Sequence, residues 1–184
     1  AFLRSVNVNN IVLKVDMILG LPLETFISYF EGLEFFIPLL KGTDHILNIH
    51  RLQILPETDL EKRCGSFGIR YSREGSHTVF ATGSFPQEEM SHASKLTAVL
   101  FRIVNSPLRS SFFREKEARN MSVLKFSEDI LESICREEAF KGTKLVSEAS
   151  VDDVYWNDDI FRDIPTEWIL KTINTRVGCR NVKR

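Results

Sequence analysis

Val12-Leu-Lys-Val-Asp-Met-Ile-Leu-Gly-Leu-Pro-Leu-Glu-Thr25 is the stretch that decides how this chain is read. Its first half alternates. Ile11, Leu13, Val15, Met17 and Leu19 share one apolar face, while Lys14, Asp16 and Gly20 share the other with Val12 and Ile18, the period of a β-strand. Gly20-Leu-Pro22 then breaks the strand, and Thr25 sits where a helix N-cap is expected. Strand, tight turn and capped helix make half of a β/α unit, and in such units the loop after the strand is where ligands collect. Lys14 and Asp16 either meet solvent or form an ion pair inside a barrel, since a polar strand face needs water or a partner.

Working outward, Thr25–Leu40 reads as a helix with Phe26, Tyr29, Phe30, Leu33, Phe36 and Ile37 on one face, set to pack on the outside of a sheet. Ile46–Leu55 reads as a second strand, which closes a β-α-β unit with parallel pairing and a right-handed crossover. His50 and Arg51 are adjacent and point to opposite faces, so one of them turns inward. Pro56–Ile69 reads as a short helical segment with Glu57, Asp59 and Glu61 in its first turn.

The remainder is mostly helical. Residues 70–83 read as an extended loop, and Ser84 with Gln87 as a capping box opening a helix that runs to about Asn105. Ser106-Pro107 reads as a new helix start, and Ser127 as the start of another that closes at Lys141-Gly142. Residues 147–159 read as an acidic loop, and Thr166 as the cap of a last short helix bearing Trp168, Ile169 and Ile173. The expected organisation is residues 1–70 as α/β and 71–184 as a mainly helical extension.

Two motifs in order carry a resemblance. Asp16-Met-Ile-Leu-Gly20-Leu-Pro22-Leu-Glu24-Thr25, then Arg51-Leu-Gln-Ile-Leu-Pro56-Glu-Thr58-Asp-Leu60, resemble the carboxy-terminal half of a radical S-adenosylmethionine enzyme. The closest subgroup is the one with an amino-terminal cobalamin-binding domain. Its motifs read Asp-x-Ile-x-Gly-Leu-Pro-Gly-Glu-Thr and Leu-x-x-Leu-Pro-Gly-Thr-x-Leu. The likeness covers roughly residues 10–70 and loosens towards 105. Two positions depart from it: Leu23 and Glu57 stand where the family has glycine, which usually supplies a positive φ.

The resemblance implies the end of a partial six-stranded (β/α) TIM-like barrel, two parallel strands with their crossover helix being its fifth and sixth, followed by the helical extension. It implies that the strand ends line the adenosine side of the S-adenosylmethionine pocket, which points to Ile18, Gly20, Pro22, Leu52, Gln53 and Ile54. It also implies a 4Fe–4S cluster and cobalamin in the full-length protein. Their sites lie elsewhere: Cys64, Cys135 and Cys179 are far apart and form no Cys-x-x-x-Cys-x-x-Cys loop, and the four histidines show no metal-ligand spacing. No catalytic residue is assigned.

The expected partners are therefore an amino-terminal barrel half, a cobalamin-binding domain and a small-molecule substrate. Phe2-Leu-Arg-Ser reads as the tail of a helix, so the chain is expected to be a fragment, inactive alone. A non-catalytic interaction module derived from half of such a barrel is the alternative. An unrelated α/β protein sharing a common strand-turn-helix signature also stays open.

Charge excludes one class of partner. Lys+Arg at 24 and Asp+Glu at 25 give a net charge of −1, and the basic runs Lys116–Arg119 and Arg180–Arg184 are short, so no nucleic-acid surface is expected. A 43% hydrophobic content suits a buried core, no apolar run approaches the roughly 20 residues of a membrane span, and a cytoplasmic location is expected.

Overall fold

In the computed structural model, residues 11–143, 145–147 and 163–178 are described. The fold is α/β. Strand β1 (Lys14–Leu19) is followed by helix α1 (Phe26–Phe36), which tightens into a 3₁₀ turn over Ile37–Leu40 at Pro38, and by strand β2 (Ile46–Arg51). The two strands pair in parallel, Asp16 beside Asn48 and Ile18 beside His50, as the β-α-β reading requires.

Alternation sets the two faces of this sheet. Met17 on one face touches α1 at Gly32, where an added Cβ would lie 3.3 Å from the Met17 Cε, so a small residue lets helix and strand approach closely. Tyr29, Phe30 and Leu33 of α1 and Ile37 of the 3₁₀ turn are buried with Leu19, Leu47 and Ile49 of the strands. Burying such side chains contributes roughly 1.5–3 kcal/mol each, so this face drives the unit together. The opposite face carries Lys14, Asp16, Asn48 and His50 and is partly open to solvent.

The edges differ as well. Leu13 O and Leu19 O accept from Ile46 N and Leu52 N, so the odd residues of β1 turn their amides and carbonyls towards β2. On the far side of β2, Asn105 acts like a neighbouring strand residue: its Oδ1 accepts from Leu47 N at 3.1 Å and its Nδ2 donates to Leu47 O at 2.7 Å. Arg109 ties the entry to β2, donating to Thr43 O and His45 O. On the far side of β1, no described strand pairs with Lys14, Asp16 or Ile18.

Residues 70–83, expected as a loop, form a hairpin instead. β3 (Arg70–Tyr71) pairs antiparallel with β4 (Val79–Ala81), and β4 also meets the chain leaving β2 through Val79 N to Leu52 O and Ile54 N to His77 O. Alternation over so short a run is a weak signal, and the hairpin is held by that neighbour rather than by its own length. The Pro56–Ile69 helix shrinks to one turn, α2 (Asp59–Lys62), capped by the Thr58 side chain.

Helices α3 (Gln87–Val104), α4 (Arg109–Ala118), α5 (Val123–Arg136) and α6 (Thr166–Gly178) complete the fold. Three expected starts shift. Ser84 makes no capping box; its hydroxyl donates to Glu24 O at 2.8 Å, and Pro86 occupies the cap of α3. Pro107 lies in the turn before α4, not inside it. Helix α5 begins at Val123 under a Ser122 cap, and Ser127 is a buried mid-helix residue whose Oγ bonds Val123 O. That helix ends at Arg136, ahead of the expected close at Lys141-Gly142, and a 3₁₀ turn over Glu138–Phe140 lies between.

The core is continuous across residue 70: Phe85, Met90, Leu96 and Leu100 are buried in one cluster with Leu19, Leu33 and Ile49. The Lys116–Arg119 run is not free surface, because Lys116 pairs with Glu34 and Arg119 approaches Asp129. The readings for Phe2–Ser5, for 148–159 of the acidic loop, for Cys179 and for Arg180–Arg184 lie outside the described residues. Among the described residues, no helix is long and apolar enough to cross a membrane.

Candidate functional site

The carboxyl ends of β1 and β2 lie side by side. Each leaves its strand through a Leu-Pro pair, Leu21-Pro22 and Leu55-Pro56, and each next residue adopts a left-handed backbone: φ is 67° at Leu23 and 64° at Glu57. These are the two positions where glycine was expected from the resemblance. The turns keep the glycine conformation and fill it with side chains.

Each turn is closed by a glutamate. Glu24 Oε2 accepts from Gly20 N at 2.9 Å and from Leu21 N at 3.3 Å, so its carboxylate reaches back to the end of β1 rather than forward to the helix. Glu61 Oε2 accepts from Glu57 N at 2.7 Å. Thr25 caps α1 in a reciprocal pair with Ser28, whose backbone N–H donates to Thr25 Oγ1 at 3.1 Å while Thr25 N donates to Ser28 Oγ. Burial pushes the Glu24 carboxyl above its ordinary range against the opposing pull of the two amides.

The expected site residues divide. Ile18, 40% exposed, lies on the open side of β1, whereas Gly20 is buried at the strand end and Leu52, just beyond β2, is buried in the core, its N–H donating to Leu19 O at 3.0 Å. Pro22 is half-buried in the turn. Gln53 is exposed, and its backbone bridges to Thr78 of the hairpin. Ile54 is fully buried in the core and its N–H is taken by His77 O, so its side chain is not presented to a ligand. Gly20 has φ of +95°, and the space where a side chain would stand is occupied by Met90, whose Cε lies 3.2 Å from an added Cβ. Its missing side chain accommodates α3 rather than a ligand.

Further down the open face, Asp16 is engaged by Asn48 Nδ2 at 3.0 Å and by His50 Nε2 at 3.4 Å, both on Oδ1. The expected pairing with Lys14 is replaced by these two neighbours on β2. Arg51 turns to the covered face, 5% exposed, and donates to Val79 O, so His50 is the one of the pair on the open face. Asn48 was not singled out from the sequence, though its alternation with His50 in a strand parallel to β1 places it beside Asp16.

An apolar rim lies in the turns after the two strands: Leu21, Leu23 and Leu55 are exposed, as is Ile18 near the end of β1, Leu23 by 76%. Exposed apolar side chains of this kind suit a partly apolar ligand or another layer of chain. Among the described residues, no group of His, Cys, Asp and Glu is arranged to hold a metal ion. Comparison with models of known protein families gives no match to this chain, and comparison with characterised proteins gives none either.

Proposed function

We propose that this chain is the carboxy-terminal part of a radical S-adenosylmethionine enzyme of the cobalamin-dependent subgroup, with β1 and β2 as the fifth and sixth strands of a partial TIM-like barrel. The observation that carries the reading is the left-handed backbone at Leu23 and Glu57. A non-glycine residue pays roughly 1–2 kcal/mol for that conformation. Two Leu-Pro turns hold it at the motif glycine positions, where glycine usually supplies a positive φ, and that supports the reading.

On this reading the open sheet face is the barrel interior. Ile18 and the apolar rim would pack against adenine, and the backbone near Gly20 and Gln53 would meet its edge. The S-adenosylmethionine and cluster, when bound, supply radical generation and hydrogen abstraction. This chain's residues do not fit the cluster, for want of thiolates at ligand spacing. Cluster and cobalamin therefore belong to the rest of the protein. The chain's own part is to wall the pocket, exclude water and carry the helical cap, in a cytoplasmic protein that is inactive when cut down to this segment.

Reading the transcript upstream of Ala1 tests this. A Cys-x-x-x-Cys-x-x-Cys loop preceded by a cobalamin-type domain is expected, and the longer protein should show iron–sulfur absorbance and release 5′-deoxyadenosine. An initiator methionine directly before Ala1 would overturn the proposal. A second reading, an interaction module built from half of such a barrel, is favoured by the edge of β1 on which no described strand lies.

A further inference from the structure

We propose that residues 82–85 are a clasp that holds the two strand-end turns in fixed relation, with Ser84 the positioning residue of the turn over residues 20–24. The four residues are folded tightly on themselves. Thr82 N donates to Phe85 O at 2.9 Å, and the Thr82 hydroxyl accepts from Phe85 N at 3.1 Å. Folded in this way, the segment gives Ser84 to one turn and Gly83 to the other.

The first grip is on the turn after β1. Ser84 Oγ donates to Glu24 O at 2.8 Å, and the carboxylate of the same glutamate closes the turn on the Gly20 and Leu21 amides. Phe85, fully buried, meets the ring of Phe26 at the start of α1 edge-on, with centroids 6.4 Å apart. The second grip is on the turn after β2. Gly83 N donates to Phe67 O at 2.9 Å, on the chain that continues from α2, and α2 carries the Glu61 carboxylate that takes the Glu57 amide. Here backbone meets backbone. A Cβ added at Gly83 would lie 3.1 Å from Phe67 O, and one added at Gly68 would lie 3.0 Å from Gly83 Cα. Such close approach needs glycine and leaves little play between the two turns. The strand pairing itself runs only to Leu19 and Arg51, and the clasp bridges the turns beyond that register.

The part this plays in binding rests on the enzyme reading, in which the two turns border the adenine edge of a nucleoside. Groups held in place before a ligand arrives bind it at a lower ordering cost. Amide exchange of the full chain, followed residue by residue by NMR, tests the clasp. Ser84→Ala should speed exchange at Gly20 and Leu21 about tenfold, with the Leu47 and Phe112 amides unchanged. Ser84→Thr keeps the hydroxyl at a half-buried position and should restore the protection. Gly83→Ala, which crowds Phe67 O, should speed exchange at Glu57. In the same samples S-adenosylhomocysteine is titrated while the Gly20 and Gln53 signals are followed. The parent should bind it at millimolar concentration, with Kd at least about fivefold higher in Ser84→Ala and recovered in Ser84→Thr. Unchanged exchange at Gly20 and Leu21 in Ser84→Ala would overturn the proposal, and so would a Ser84→Ala chain that binds the nucleoside as well as the parent. Turns that loosen as expected in a parent that shows no binding up to about 10 mM would leave the clasp standing and count against the enzyme reading alone.

Discussion

Leu23 and Glu57 occupy one backbone state, φ of 67° and 64°, each one residue beyond a Leu-Pro pair at the end of a parallel strand. Neither side chain is buried, so neither is rewarded by packing for the strain it carries. Glycine reaches this state freely but loses about 0.5–1 kcal/mol of extra backbone entropy on folding. Against a left-handed cost of roughly 1–2 kcal/mol, Leu23→Gly and Glu57→Gly should each stabilise the chain by about 0.5–1 kcal/mol. In a chain of this size that is about 1–4 °C in Tm. Leu23→Ala separates the causes, since alanine keeps the strain and should give no such rise. A drop in Tm for Leu23→Gly would mean that the exposed leucine is held by contacts of its own.

Gly20 carries both a positive φ and a tight neighbour in Met90. Gly20→Ala should therefore cost about 1–3 kcal/mol from backbone strain, with a further cost from the Met90 contact. Shortening the neighbour in Gly20→Ala/Met90→Ala relieves only the contact and opens a cavity, so the double variant should be less stable than Gly20→Ala. Denaturant midpoints of the four proteins in that cycle check this. A double variant at parental stability would show that φ at Gly20 is easily changed.

Much of the α/β half is legible in the residues themselves. The alternation from Ile11 to Leu19, the Gly20-Leu-Pro22 break and the aromatic face of α1 each state their own periodicity, and strand, turn and helix lie where those patterns put them. The hairpin is not legible in the same way, because Arg70–Tyr71 and Val79–Ala81 are too short to show a period and depend on Leu52 and Ile54 for neighbours. Ser84 and Ser127 mislead for another reason. A serine before an acidic or amide side chain satisfies the capping pattern locally, but Ser84 is drawn to Glu24 O, 60 positions away, and Ser127 to the turn before it. At the candidate site, alternation puts Asp16 and His50 on the open face, whereas the burial of Ile54 and the place of Met90 beside Gly20 arise from α3 and the hairpin.

Tyr29 and Thr97 join α1 to α3 through a buried hydroxyl pair at 3.1 Å. Burial raises the phenol well above its ordinary range, so Tyr29 is protonated at neutral pH. Tyr29→Phe leaves the Thr97 hydroxyl buried without this partner and should cost about 1–2 kcal/mol. Tyr29→Phe/Thr97→Val removes both polar groups and should recover most of that loss. Double-mutant analysis of chemical unfolding measures the coupling, and additive losses would show that the two hydroxyls do not depend on each other.

Glu24 gives the pH dependence. Its carboxyl titrates above the ordinary 4.5 in the folded chain, chiefly because burial disfavours the charge. Between that ordinary value and the raised one, the folded state holds a proton that the unfolded state has released. Stability therefore falls as pH rises through this window, and the contribution is fully present only below it. Glu24→Gln keeps an oxygen for the Gly20 and Leu21 amides and carries no charge, so its stability should lack this component. The Tm of Glu24→Gln relative to the parent should rise as pH increases through the window and then level off. Glu24→Ala removes the acceptor altogether and should lose about 1–2 kcal/mol below the window, a deficit that narrows as pH rises through it. Melting curves of the three proteins from acid to neutral pH read both effects. A parent that gains on Glu24→Gln as pH rises would mean that the two amides, not burial, govern this carboxylate.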